Sequence, residues 1–476
     1  MTFASDLQTT ITHAELDVEK QFILEALSAS MPEMIAMLRT VVADASWHQA
    51  AEDKQPFGSG VAACLDNVLL AGAALGFRTG RDDAGYYGWL DVGEGEPQLG
   101  VLCHVDQAPI ADADAWFSDP LTLTERNGLL YGRGVQQSKG PLVAVIMALA
   151  VLVRHSMPLQ QPIRIIIGTD GGQQGRCMAR YLMHEPAPLL TLSPVGDAEL
   201  VLGEKRRLQA YLLAPGSEDL TLACGGEFDW IPDRACYHGK QQKLLRKQLD
   251  VYGIPWLEQE HATLVLGQAA ASGDCLHQGI NAIARLCRGL NAIGYQHPAL
   301  GFCALIVGSD PGIRALLGPV ADVSGSLSCN LASLRLDHNE ARIGLDLRVP
   351  VSVSYESISK QLKQRVTQLG WQYEEVHHLP PLSPSLSEQG VSLLRQCCQH
   401  VTGRPCMTHY SAGVSFARAL PNTVPFGAIL ADVPDTRGAV NEHISSENLL
   451  MTAQIYALAL MDLQKYPLAT ILGRQK

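Results

Sequence analysis

The sequence predicts an α/β domain with a largely parallel sheet, interrupted by an inserted α+β unit. Three observations lead there. Residues 99–103 and 163–168 are short apolar runs with the length and bounding residues of buried strands. A long helical pattern over residues 140–155 separates them, and strands alternating with helices of that length build parallel sheets. Past Glu204-Lys205-Arg206-Arg207 the composition shifts, and strand-like and helical segments then alternate up to a proline-rich stretch.

In chain order, residues 19–42 carry Phe22, Ile23, Leu27, Met34, Ile35 and Leu38 at helical spacing. Residues 61–75 do the same, entered through the turn-rich Pro56-Phe57-Gly58-Ser59-Gly60. After the two strands and their helix, residues 208–214, 263–267 and 341–349 read as strands. Residues 279–293 and 355–369 read as helices. Leu379-Pro380-Pro381-Leu382-Ser383-Pro384 is the clearest linker. A helix over 389–400, a strand-like 424–430 and a helix over 446–464 then complete the first domain. The expected organisation is a core domain split between residues 1–205 and 384–476, with residues 206–383 inserted.

The 476 residues suit about two or three domains. With 47% hydrophobic residues, they can bury sizeable cores. Lys+Arg 36 against Asp+Glu 48 gives a net charge of −12, and no basic cluster stands out, which excludes a dedicated nucleic-acid binder. The first twenty residues hold four acidic side chains and no apolar block, so no secretory peptide is expected. The longest apolar stretch, residues 141–153, is too short to span a bilayer. The 12 Cys show no C-x-x-C and no framework spacing. Buried free thiols in a cytoplasmic protein are expected.

Candidate chemistry begins where the strand at 99–103 runs into His104-Val105-Asp106. The C-terminal end of a buried parallel strand is the usual place for an α/β active site. A glycine-rich turn opening a helix follows at Tyr131-Gly132-Arg133-Gly134-Val135-Gln136-Gln137-Ser138-Lys139-Gly140-Pro141. The second strand then delivers Thr169-Asp170-Gly171-Gly172.

That order resembles the metallopeptidase family of glutamate carboxypeptidases, aminoacylases and succinyl-diaminopimelate desuccinylases, and most closely its PepV-type dipeptidases. The resemblance is nearly end to end. It adds Glu204-Lys205, Gly279-Ile280-Asn281-Ala282, Leu347-Arg348-Val349-Pro350, Ser415-Phe416-Ala417-Arg418, Phe426-Gly427-Ala428 and Asn441-Glu442 to the motifs above. It implies a zinc-exopeptidase-like (phosphorylase/hydrolase-like) core, with the insert as an enlarged lid that suggests a monomer. It also implies hydrolysis of a peptide or amide bond by two zinc ions sharing a water, with a Glu taking the proton from that water.

Carried over residue by residue, the family's roles meet an altered set. His104 matches the first ligand, and Asp106 the carboxylate that orients it. The bridging Asp falls on Gln137, and the Glu-Glu pair, base then ligand, on Gly171 and Gly172. The next ligand falls on Val195, or on Asp197 if two residues are missing downstream. The last ligand His falls on Gly438, with His443 five residues out of register. The His that holds the developing oxyanion falls near Ala271. Glycine cannot act as a base, and an amide does not replace a bridging carboxylate's charge. Metal ligation is therefore reduced to His104, with Asp197 as a residual candidate, and no cofactor is expected unless the ligands are rewired around zinc.

Each surviving group has a plain reading beside a functional one. His104 and Asp106 form either a proton-transfer pair or a hydrogen-bonded relic at a strand end. Lys139 either binds an anion or packs its stem and reaches a carbonyl. Ser138 is either a nucleophile or a helix cap. Cys103 reads as buried and inert. Asn330, Arg348 and Ser415 match positions where the family is expected to contact substrate, and Arg348 could clamp a carboxylate or make a salt bridge. His377 and His378 read as solvated.

Three functions follow. The first is a pseudo-peptidase binding a small peptide-like or amino-acid-derived ligand or a protein partner. The second is a metal-independent enzyme using His104, Asp106, Lys139 and Ser138. The third is a zinc dipeptidase with rewired ligands.

Overall fold

Six strands make the central sheet, in the order Arg78–Arg81, Tyr87–Val92, Ile163–Gly168, Leu99–His104, Leu190–Ser193, Thr423–Pro425. The computed structural model describes residues 13–194, 199–305, 311–427, 429–430 and 433–473. The last four strands of that order run parallel. The first two attach antiparallel at one edge, so the sheet is mixed. The expectation of a largely parallel sheet holds for these four strands, which run on to the edge strand Thr423–Pro425, and the antiparallel pair at the other edge is what it does not include. Every residue of Leu99–His104 and Ile163–Gly168 is buried, as strands covered on both faces must be.

The helix Lys139–Arg154 is buried almost all round and packs on the buried helix Ser446–Gln464. A helix apolar on every face belongs in a core, which explains the absence of a polar stripe in 140–155. The expected single helix over 19–42 is two helices, His13–Ala29 and Met31–Val42. Pro32 takes the first turn of the second, where its missing N–H costs no hydrogen bond, and the chain breaks at Ser30. The strand expected over 424–430 is only Thr423–Pro425. Among the described residues, no helix is long and apolar enough to cross a membrane.

The chain divides into two compact units: Met1–Val201 with Pro384–Thr408 and Ser415–Lys476, and Leu202–Ser383 with His409–Val414. The second unit holds a five-stranded antiparallel sheet in the order Leu222–Gly225, Ser328–Leu336, Glu340–Val349, Arg206–Pro215, Gln372–Leu379. Its core includes Leu208, Leu331, Leu345, Leu347 and the helix residues Ile283, Leu286 and Leu362. The helix expected over 279–293 starts only at Ala282, because the Asn281 side chain caps it by accepting from the Ala284 N–H at 3.1 Å. The proline-rich stretch is not a free linker. Gln372–Leu379 is a sheet strand, and Leu382 exchanges backbone hydrogen bonds with Glu204 at 2.8 and 3.0 Å.

Candidate functional site

His104 ends its strand with the imidazole buried, and Nδ1 lies 3.1 Å from Asp106 Oδ1. Asp106 is held on both oxygens: Oδ1 also accepts from the Gly171 N–H at 2.7 Å, and Oδ2 from the Gly172 N–H at 2.8 Å. Burial alone would raise this carboxyl. The facing His104 imidazole and the two glycine N–H groups outweigh it and hold Asp106 below the ordinary carboxylate value. Phe416 closes over the imidazole edge-on, with ring centroids 5.4 Å apart.

The depressed Asp106 carboxyl has a consequence for stability. A carboxyl that titrates lower when folded contributes stability that is complete above the unfolded value, about 3.9, and is lost as the pH falls through the folded value. The Asp106→Asn variant should therefore show a flatter fall in unfolding free energy below about pH 4 than the parent chain. Urea unfolding at a series of acid pH values reads this. Equal acid slopes in the two proteins would contradict it.

His48 also belongs to this cluster, and no motif marked it. It sits in the polar connection after the second helix, with no apolar period or family motif around it. Its Nε2 lies 3.4 Å from Asp170 Oδ1 and 3.8 Å from Asp106 Oδ2, and its ring stacks on Phe57. Asp170 is in turn held by Arg176, whose Nε donates to Oδ2 at 2.9 Å. The Phe57 of the turn-rich entry is the one available signal: its ring carries both His48 and the Arg176 guanidinium.

The glycine-rich turn is built around Glu442. That carboxylate is wholly buried and accepts from the N–H groups of Gly134, Gln136 and Gln137 at 2.9–3.1 Å and from Arg133 at 3.1 Å. The turn's N–H groups are thus consumed from within and not offered to a ligand. Gln137 stays half-buried, its Oε1 accepting from the Ala108 N–H at 3.3 Å.

Lys139 is fully buried and donates from Nζ to the Asp44 carbonyl at 2.8 Å, the arrangement of the plain reading in which the stem packs and the ammonium reaches a carbonyl. Burial pushes its ammonium below the ordinary lysine value. Ser138 precedes the helix without capping it, and its buried Oγ makes no hydrogen bond to a described residue. The Cys103 thiol is buried and shifted well up by desolvation, away from nucleophile character. His443 pairs in the strand His443–Ser445, with Nδ1 on the Asn441 carbonyl. Gly438 adopts φ +70°, and its N–H points at Glu442 Oε2 at 3.4 Å. Val195 and Asp197 lie outside the described residues.

In the second unit, Asn330 donates to the carbonyls of Phe228 and Trp230. The Arg348 guanidinium is engaged by Asp346, Ser272, Asp229 and the Ala412 carbonyl, so the salt-bridge reading describes it and the open carboxylate clamp does not. Ala271 forms an isolated bridge with Trp230. His378 is not simply solvated: it stacks on Tyr355 and contacts Arg206. Ser415 stands in the first unit, at the start of the short helix Phe416–Ala419.

Two zinc ions need several imidazole and carboxylate donors around one water. Here His104 offers one ring nitrogen, Asp106 is spent on His104 and two amides, Asp170 is held by Arg176, and Gln137 is neutral. Among the described residues, no three His, Cys, Asp or Glu ligand atoms converge at His104. A Cβ at Gly171 would stand 2.4 Å from His104 Cγ, so the imidazole fills the space a side chain there would need. A Cβ at Gly172 would stand 3.1 Å from Asp106 Oδ2. The described residues do not fit a two-zinc centre.

The profile of Peptidase family M20/M25/M40 matches residues 100–462. The chain is 29% identical over 435 residues to "Putative dipeptidase YtjP" of Bacillus subtilis, covering 86% of this chain and 92% of that protein. It is 26% identical over 446 residues to a Staphylococcus aureus protein likewise named a "Putative dipeptidase", covering 87% and 93%. Among solved structures, it is similar to human carnosine dipeptidase 1 (TM-score 0.55, 13% identity, covering 94% of this chain and 99% of that one). The di-peptidase Dug1p of Saccharomyces cerevisiae gives a TM-score of 0.56 at 12% identity, with coverage of 94% and 99%. The metallo-carboxypeptidase Sso-CP2 of Sulfolobus solfataricus gives 0.56 at 13%, with coverage of 91% and 100%.

Proposed function

Because the chain belongs to peptidase family M20/M25/M40 and is dipeptidase-like over most of its length, we propose that it binds a small peptide-like ligand in the family's manner without two-zinc hydrolysis. The observation that carries this reading is the Gly171 position. Where the family is expected to place its general base, this chain has no side chain, and the His104 ring occupies the room for one. Gln137 supports it from the other side: a neutral amide stands where two cations would need a shared negative charge. Its Nε2 remains able to donate to a ligand carbonyl.

Metal-independent catalysis draws less support, since Lys139 is bound to a backbone carbonyl and Cys103 is a raised, buried thiol. The names of the relatives speak for dipeptidase activity, which the third reading, a zinc dipeptidase with rewired ligands, would retain. One experiment separates the three. The protein, dialysed in turn against zinc, manganese and cobalt, is incubated with a panel of dipeptides, with thermal shift reporting binding and chromatography reporting cleavage. Binding with the dipeptides left intact is the expected result. Turnover abolished by a chelator would establish the rewired metallopeptidase. Turnover that survives chelation and disappears in His104→Gln would establish metal-free chemistry.

A further inference from the structure

Among the described residues, one group of metal-ligating side chains converges, and it shares no residue with the His104 cluster. A carboxylate oxygen of Glu199 and the sulfurs of Cys398 and Cys406 lie within 4.8 Å of one another. All three residues are buried, at 1%, 0% and 5% exposure, and both thiols are free of disulfides. The local fold assembles them. Cys398 sits near the end of the helix Glu388–Thr402, which Gly403 terminates at φ +70°. The chain then turns back through Arg404-Pro405, bringing Cys406 to the helix it has just left. Glu199 is pinned to the same turn, because Met407 N–H donates to Oε2 while Leu200 N–H donates to the Met407 carbonyl at 3.2 Å.

We propose that Glu199, Cys398 and Cys406 form a binding site for one thiophilic divalent cation of the zinc class. Two thiolates select such an ion over magnesium or calcium, which prefer all-oxygen shells. The charge closes: two thiolates and one carboxylate against a divalent ion and the Arg404 guanidinium, which lies 2.6 Å from Glu199 Oε1, leave no net charge in a buried place. Binding replaces two S–H bonds by two metal–sulfur bonds and releases two protons to solvent. Three protein ligands leave a fourth position for water.

Cobalt(II) titration of the fully reduced chain tests this. The expected result is sulfur-to-cobalt charge-transfer absorption saturating at one ion per chain and displaced by zinc. It should vanish in Cys398→Ser and in Cys406→Ser, and Glu199→Gln should weaken affinity at least about tenfold. Circular dichroism melts confirm that the variants fold. A second readout needs no variant: bound cobalt should protect Cys398 and Cys406 from alkylation while the half-buried Cys236 and Cys275 still react. The absence of charge-transfer absorption, its survival in Cys406→Ser, or a Cys398–Cys406 disulfide in the purified protein would each overturn the proposal.

Discussion

Replacing Glu442 by Ala should cost the first unit about 3–5 kcal/mol, the range for removing one partner of a buried ion pair. Among the described residues the carboxylate is the only acceptor for three backbone N–H groups of the turn at 134–137, and it neutralises Arg133, itself 1% exposed. Without it, a buried guanidinium loses its counter-charge, and three N–H groups must find water in a place that admits little. The turn opens the helix Lys139–Arg154, so its loss loosens the central layer as well as the loop. Glu442→Gln keeps the volume but presents an NH₂ group to donors. It should also be strongly destabilised, which separates loss of charge from creation of a cavity. Urea unfolding measures both variants, and a loss under about 1 kcal/mol for either would contradict the role assigned to Glu442.

Restoring the family's base by Gly171→Glu should destabilise the protein and restore no hydrolysis. The first added atom would stand 2.4 Å from His104 Cγ and 2.5 Å from its Cβ, both at the rigid end of that side chain. Room could be made only by displacing the imidazole, which would break the contacts among His104, Asp106 and the two glycine amides. Gly171→Ala isolates the steric part and should cost about 1–3 kcal/mol, the usual penalty for overpacking a filled site. A neutral Gly171→Ala would show that the loop has room, and hydrolysis gained by Gly171→Glu would show that only the base is missing.

Some parts of this molecule are legible in the chain and others are not, for local reasons. The helices Lys139–Arg154 and Ser446–Gln464 and the strands ending at His104 and Gly168 are uninterrupted apolar runs, so burial and length identify them. The break at Ser30 is hidden because the apolar period carries across it, and only Pro32 marks it. Thr423–Pro425 is shorter than its apolar run because strand pairing, not hydropathy, ends it. His104 and Asp106 are visible as a motif at a strand end. His48 reaches them from a connection with no periodicity. Glu442 is visible as a motif residue, but its role is not: nothing local says that its carboxylate serves a turn some three hundred residues earlier. Cys398 and Cys406 are eight positions apart, a spacing that suggests no metal, and Glu199 completes the group only through the fold.

Whether the His104 cluster holds metal is decided by the zinc content of the Cys398→Ser/Cys406→Ser double variant, dialysed against zinc and then against buffer, and read by plasma mass spectrometry beside the parent chain. With the thiol pair removed, no group of three converging His, Cys, Asp or Glu ligands is left among the described residues. The prediction is no stoichiometric zinc in the folded double variant and no dipeptide cleavage by it. Two ions per chain in that variant, together with chelator-sensitive cleavage of a dipeptide, would show instead that the family's hydrolytic centre is intact.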